Sequence, residues 1–278
     1  MKDLKQYGFN TDNKVYVIAE IGINHGGDLN QAKRLIDSAA KTGVDAVKFQ
    51  TYQTETRAPK SNKLIFDILK RCELPFEAFA ELQEYARQYA LDFFSTPFDR
   101  ASVDYLQRID CPLYKVASFD VTNHDLLRAV AEVQKPVVLS IGMANLHEVK
   151  QAYEVLKGKT DQITLLHCVS AYPTQEHDAN LAAIPKLRST FDCVIGQSDH
   201  TNDITVPLFA VAAGAQVIEK HYKIDDDMDC IDAPVSITES QMTTLVREIR
   251  RVEGILGAGH IDMQAVEEGA QLFRRFSR

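Results

Sequence analysis

Two short stretches carry the strongest chemical signal. Residues 194–201 read V-I-G-Q-S-D-H-T, so a small apolar run passes directly into side chains that hydrogen-bond or ionise. Residues 216–221 repeat the arrangement as Q-V-I-E-K-H. A buried strand that opens into a polar site at its C-terminal end has this composition. His200 and His221 therefore end two consecutive expected strands. Imidazoles suit Mn, Zn, Fe or Co, and a pair alone leaves positions for water and substrate. A metal held there would act as a Lewis acid on a carbonyl oxygen. The competing reading is two hydrogen-bonded core histidines; Asp199 and Glu219 beside the pair favour the metal.

Other expected strand ends are polar as a set: Glu20, Lys48 with Gln50, Ser95 with Thr96, Lys115 with Ser118, Ser140, His167, Ser198 and Lys220. Lys48, Lys115 and Lys220 could neutralise a multiply charged anion, with Gln50, Ser118, Ser140 and Ser198 donating to its oxygens. That mixture suits a phosphorylated carboxylic acid. A single strand-end lysine can equally be ion-paired to a neighbouring carboxylate. Cys168 reads as an inert buried thiol, and His25 and His167 as less secure site members.

The elements that must position these residues follow from periodicity. Apolar, β-rich runs mark strands over 15–23, 44–50, 91–96, 113–117, 136–141, 162–168, 193–196 and 215–220. Helical spacing appears over 30–42, 64–70, 76–89, 125–133, 146–156, near 181–188, over 204–213 and over 239–256, and Asp99 is a good N-cap for a helix running to Arg108. Residues 51–63 read as a loop, and 225–237 as a long acidic loop. Strict βα alternation with eight repeats points to a (β/α)8 TIM barrel, whose sites form at the C-terminal strand ends. An open doubly wound sheet would show G-x-G-x-x-G after its first strand; here the turn is G-I-N-H-G-G. Residues 1–260 are expected to form the barrel. Residues 261–278 are expected to form a tail with a short helix ending in Phe273-Arg274-Arg275-Phe276.

A formal charge of −8 argues against nucleic acid as a partner. The N-terminus has no apolar run of a signal peptide, and no segment has the length of a membrane span. Five scattered cysteines without a C-x-x-C fit reduced thiols in a cytoplasm.

The sequence resembles the bacterial sialic acid synthases, the phosphoenolpyruvate-dependent synthases of nonulosonic acids. The resemblance rests on A-E-I-G-I-N-H-G-G-D (19–28), V-K-F-Q-T-Y (47–52), S-T-P-F-D (95–99), L-S-I-G-M (139–143), L-L-H-C-V-S-A-Y-P-T (165–174), G-Q-S-D-H-T (196–201) and E-K-H-Y (219–222). It implies a cytoplasmic enzyme, a homodimer, that joins phosphoenolpyruvate to the open-chain aldehyde of an N-acylated amino sugar such as N-acetylmannosamine. It implies Lys48, Gln50, Lys115, Ser118, Ser140, Ser170 and Ser198 around phosphoenolpyruvate. It implies His200 and His221 as ligands of Mn²⁺ or Mg²⁺. Glu20 and Glu219 match carboxylates near the sugar, and Tyr172 and Asp232 match positions that contact it.

Three departures concern the acceptor end. A C-terminal antifreeze-like domain usual in the family, which lends an arginine to a partner's sugar site, is not in this sequence. The loop 51–63, in the region that the resemblance implies holds the sugar's acyl group, looks short. Y-K-V-A-S-F-D (114–120) and D-C-I-D-A-P-V-S (229–236) replace more usual stretches. The same reaction type is therefore expected, with the identity of the acceptor sugar left open. Two rivals remain: a Schiff-base aldolase using Lys48, Lys115 or Lys220, and a non-catalytic sugar- or anion-binding barrel.

Overall fold

The computed structural model describes residues 1–12 and 14–275. Among them, eight parallel strands close into a barrel in sequence order. They are β1 Tyr16–Gly22, β2 Ala46–Thr51, β3 Asp92–Pro97, β4 Tyr114–Val116, β5 Val137–Ser140, β6 Ile163–Cys168, β7 Val194–Asp199 and β8 Val217–His221. β8 pairs back onto β1, from Tyr16 opposite Val217 to Glu20 opposite His221, which excludes the open sheet. Every residue of β1 is buried, because the inner face fills the barrel and the outer face meets helices.

The covering helices are α1 Leu29–Ala39, α4 Phe76–Arg87, α5 Arg100–Arg108, α6 His124–Glu132, α7 Leu146–Lys157, α8 Ala183–Thr190, α9 Thr205–Ala212 and α10 Glu239–Leu256. Local chemistry sets their starts. Asp28, Asp99, Asn123 and Asn145 accept backbone N–H groups at the starts of α1, α5, α6 and α7, and Thr238 with Gln241 forms a capping box on α10.

Two expectations are corrected. The stretch 51–63 is not a plain loop: α2 (Thr54–Arg57) forms there, and α3 (Lys63–Cys72) begins at its end. Distant carboxylates organise the entry to α2. Glu73 Oε2 accepts from Thr54 N at 3.1 Å, and Asp99 Oδ2 accepts from Gln53 N at 3.0 Å. No local pattern reveals such partners. β7 also continues past Gly196, because Gln197, Ser198 and Asp199 pair with Ile218, Glu219 and Lys220. Polarity does not end a ladder whose side chains are buried and bonded.

The N-terminal segment covers the other end of the barrel. Phe9 packs on Tyr16 with ring centroids 4.6 Å apart, and Lys2 exchanges hydrogen bonds with Gln216 just before β8. After α10, residues Ala265–Phe273 form a 3-10 helix with exposed side chains. Phe276, the last residue of the expected tail helix, lies outside the described residues. None of the described helices is long and apolar enough to cross a membrane.

Candidate active site

The parallel register brings the polar strand ends into one layer. Glu20 lies opposite Lys48 on one side and His221 on the other, Ser198 lies opposite Glu219, and Gln50 opposite Thr96. A cavity of about 710 Å³ opens there. Its wall includes Glu20, Lys48, Gln50, Lys115, Ser118, Ser140, Tyr172, Ser198, His200, Glu219, His221 and Asp232. Ser170 does not line it; its Oγ lies 3.7 Å from the Sγ of Cys168, which does.

The floor is a buried charge network. Lys48 Nζ lies 2.8 Å from Glu20 Oε2 and 3.7 Å from Glu219 Oε2, and Lys115 Nζ lies 3.6 Å from Glu219 Oε1. All four side chains are at most 4% exposed, so water screens them little. Ser198 Oγ donates to Glu219 Oε1 at 2.8 Å. Burial opposes ionisation of Glu219, but Lys115, Lys48 and that hydroxyl outweigh it and hold the carboxyl below its usual range. Burial pushes Glu20 up, with Glu219 adding repulsion against the pull of Lys48. Burial also pushes Lys115 down, whereas Glu20 and Glu219 overcome burial at Lys48 and raise it.

Beside this floor stand polar groups without protein partners. Ser140 Oγ is buried with no hydrogen-bond partner. Gly142 supplies room: a Cβ there would stand 2.3 Å from Ser170 Oγ, 2.9 Å from Ser118 Oγ and 3.1 Å from Cys168 Sγ. Its N–H donates to Ser118 Oγ at 3.0 Å. Gly22, at φ +56°, keeps the opposite wall open, since a Cβ would crowd Glu20, Gln50 and Asp232.

His200 and His221 face each other with ring centroids 5.3 Å apart. His200 Nδ1 lies 2.9 Å from the Val169 carbonyl. A carbonyl only accepts, so Nδ1 carries a proton, and in the neutral ring the lone pair is then on Nε2, the tautomer of a metal-ligating imidazole. His221 Nδ1 lies 3.4 Å from Asp232 Oδ2, and the Tyr172 ring covers His200 at 4.2 Å. Among the described residues no group of three or more His, Cys, Asp or Glu has metal-binding geometry. The residues present thus fit at most a weak, open two-imidazole site.

Strand alternation removes several candidates from the chemistry. Lys220 is fully buried and bound to Asp199 Oδ2 at 2.7 Å and to the Thr201 carbonyl. It is not an anion-binding lysine, and Asp199 is not beside the histidine pair in function. Ser95 bonds Thr51, and His167 Nε2 bonds the Ala179 carbonyl. Cys168, expected to be inert, lines the cavity 3.6 Å from His200 Nδ1. Sequence reasoning also missed Arg57, Phe98 and Phe119 on the cavity wall. Arg57 was hidden inside an apparent loop.

Residues 35–261 match the NeuB family. The chain belongs to that family. An N,N'-diacetyllegionaminic acid synthase of Campylobacter jejuni is 39% identical, over 88% of this chain and 78% of its own. A pseudaminic acid synthase of the same species (serotype O:23/36) is 34% identical, over 97% and 82%. The crystal structure of an N-acetylneuraminic acid synthetase from Leptospira borgpetersenii superposes with a TM-score of 0.92 at 42% identity, covering 94% of this NeuB-family chain and 92% of that one. Its relatives' names make this a family of nonulosonic acid synthases.

Proposed function

We propose that this chain condenses phosphoenolpyruvate with the open-chain aldehyde of an N-acylated amino sugar, giving a nonulosonic acid and phosphate. One observation carries the reading: two buried lysines and the partnerless Ser140 hydroxyl share a cavity with a facing pair of histidines. Lys48 and Lys115 supply charge for the donor's carboxylate and phosphate, and Gln50, Ser118, Ser140 and Ser198 supply directed hydrogen bonds. His200, His221, Tyr172 and Asp232 line the acceptor side. A divalent metal, Mn²⁺ or Mg²⁺, held by the two imidazoles would supply a Lewis acid for the aldehyde oxygen.

Carbon 3 of the donor forms the new bond to the aldehyde carbon with the electrons of its double bond to carbon 2; the aldehyde C=O π pair passes to the oxygen, which takes a proton to become a hydroxyl, and positive charge develops at carbon 2. Water adds to carbon 2 and phosphate then leaves from it. Glu20, at the junction of Lys48 and Gln50, is placed to stabilise that charge or to take the proton of the water. Glu219 stays ionised and orients both lysines and Ser198.

The test is a phosphate-release screen with phosphoenolpyruvate, Mn²⁺ and mono- and diacetamido-hexoses. Release with an acylated aldose, abolished by EDTA and restored by Mn²⁺, is the expected result. Donor binding without release across the panel would overturn the synthase reading. The Schiff-base rival retains one candidate in Lys115, whose pKa burial depresses. Covalent trapping by borohydride with pyruvate would favour that rival.

A further inference from the structure

Asn24, in the turn that follows β1, is buried and does not line the cavity. Its amide is nevertheless fully used on a segment that does. Nδ2 donates to the Tyr222 carbonyl at 2.9 Å and to Ser236 Oγ at 3.0 Å, and Oδ1 accepts from Asp232 N at 2.9 Å. The Tyr222 carbonyl needs a donor and the Asp232 N–H an acceptor, so the amide fits only one way round. Ser236 Oγ in turn donates to the Asp232 carbonyl at 2.7 Å. One side chain thus holds the start, the middle and the end of the stretch 222–236.

That stretch is long and acidic. Asp225, Asp226, Asp227 and Asp229 precede Asp232, and Lys223 pairs with Asp226 at 2.9 Å. Its base is closed by backbone bonds: Ile237 N donates to the His221 carbonyl at 2.9 Å, and Lys223 N to the Ile237 carbonyl at 3.0 Å. Its middle leans on the β1 turn, since Ile231 packs on the small core that contains Ile23. The turn itself is closely seated. Gly27, at φ +82°, brings it so near the end of α3 that a Cβ would stand 2.2 Å from the Arg71 carbonyl oxygen.

Asp232 is the residue this anchor delivers. Its carboxylate lies 3.4 Å from His221 Nδ1, and among the described residues it accepts no aligned hydrogen bond, so its place depends on the backbone that carries it. His200 and His221 then share one arrangement. Each turns Nδ1 to a protein oxygen, the Val169 carbonyl for His200 and Asp232 Oδ2 for His221. That leaves Nε2 of each neutral ring as the nitrogen for a metal, and a carboxylate beside a ligating imidazole fixes its tautomer and orientation.

We propose that Asn24 is a positioning residue for the metal and acceptor end of the site: its amide holds Asp232 against His221, and it acts through that carboxylate without touching either substrate. The acceptor half of this inference rests on the synthase reading above, whereas the His221 half is read with Mn²⁺ alone.

The experiment compares the wild type with Asn24→Ala, Ser236→Ala, Asp232→Ala and the double variant Asn24→Ala/Asp232→Ala. Mn²⁺ affinity is measured without substrates, from the electron paramagnetic resonance of the free ion. KM for the acetamido-hexose the wild type uses best is measured by phosphate release at saturating phosphoenolpyruvate, and phosphoenolpyruvate affinity by calorimetric titration. Asn24→Ala is expected to weaken Mn²⁺ binding and to raise the acceptor's KM by about tenfold each, the low end of the loss when an outer partner of a metal ligand is removed. Phosphoenolpyruvate affinity stays unchanged. In the Asp232→Ala background the same substitution changes neither quantity further, which a merely structural role would not produce. Thermal melts check folding. Ser236→Ala, expected to move both quantities the same way by less, carries the comparison if Asn24→Ala does not fold. Unchanged Mn²⁺ affinity and acceptor KM in folded Asn24→Ala overturn the proposal. So does an equal loss with and without the Asp232 carboxylate, or a matching loss of phosphoenolpyruvate affinity. Absence of release by the wild type with every sugar overturns the synthase reading instead, and the Mn²⁺ titrations then decide the His221 half by themselves.

Discussion

Replacing Asp199 or Lys220 separates scaffold from chemistry. Lys220 Nζ lies 2.7 Å from Asp199 Oδ2, with the side chains 0% and 2% exposed. Lys220→Met leaves an aspartate that still accepts from Gln197 Nε2 at 3.1 Å, Thr201 Oγ1 at 2.6 Å and Thr201 N at 3.2 Å. Asp199→Ala leaves a buried ammonium with only the Thr201 carbonyl. Removing one partner of a buried pair costs about 3–5 kcal/mol. Asp199→Ala therefore belongs near the top of that range and Lys220→Met near the bottom. At roughly 2–4 °C per kcal/mol for a chain of this size, the melting temperature falls by about 10–20 °C and 6–12 °C respectively. The double variant, which leaves no lone charge, loses less than the sum. Circular dichroism melts and urea titrations at neutral pH measure this, and phosphate release below the melting range shows whether folded Lys220→Met keeps its turnover. An Asp199→Ala protein that melts like the wild type would refute the burial argument. A folded but inactive Lys220→Met would return that lysine to the chemistry.

Two further outcomes follow from local geometry. Gly142→Ala places a methyl against Ser118, Ser170 and Cys168, so calorimetric titration should show phosphoenolpyruvate affinity reduced roughly tenfold or more with a near-wild-type melt; unchanged affinity would remove Ser118 from the cradle. His25 is buried, its Nδ1 accepts from Gly27 N and its Nε2 has no partner, and burial lowers its pKa from 6.5 to about 4. A depressed histidine contributes stability that is complete above the unfolded pKa and is lost as pH falls toward the folded one, here about 3 kcal/mol. Urea midpoints of His25→Gln should therefore depend less on pH than the wild type's between 6.5 and 4, and an identical dependence would show that His25 does not titrate with unfolding.

The barrel was legible because its strands are covered on both faces, so residues 15–23 or 162–168 read as apolar runs whatever their neighbours. The strand-end polar set was legible for the same reason: a charge inside such a run has to have a purpose. What the list could not do alone was assign faces. Period-2 alternation puts Ser198, Glu219 and His221 into the cavity and turns Asp199 and Lys220 toward each other, and reading the set without that period made Lys220 look like a ligand. Arg57 was illegible for another reason. Its helix has four residues, its entry is held by Asp99 and Glu73, and the ring it lies on is Phe98. None of those partners is near it in sequence.

The structure also changes what counting lysines means. Two strand-end lysines suggest a positive hole waiting for an anion, yet Lys48 and Lys115 already face Glu20 and Glu219, and Arg57 faces Asp232 and Asp120 at longer range. The floor is close to neutral. The proposed donor carries about −3, a phosphate monoester plus a carboxylate. It can seat only by drawing the lysines from their carboxylates, which then lose the charges that kept them ionised. Glu20, already pushed up by burial, is the carboxylate most altered by that exchange, and it lies opposite His221 on the side where the acceptor is proposed to sit. Under the proposed function, donor binding would tune the group proposed to serve the second half of the reaction, which is a reason for a buried ion-pair network to occupy a site that simple attraction would fill with lysines alone.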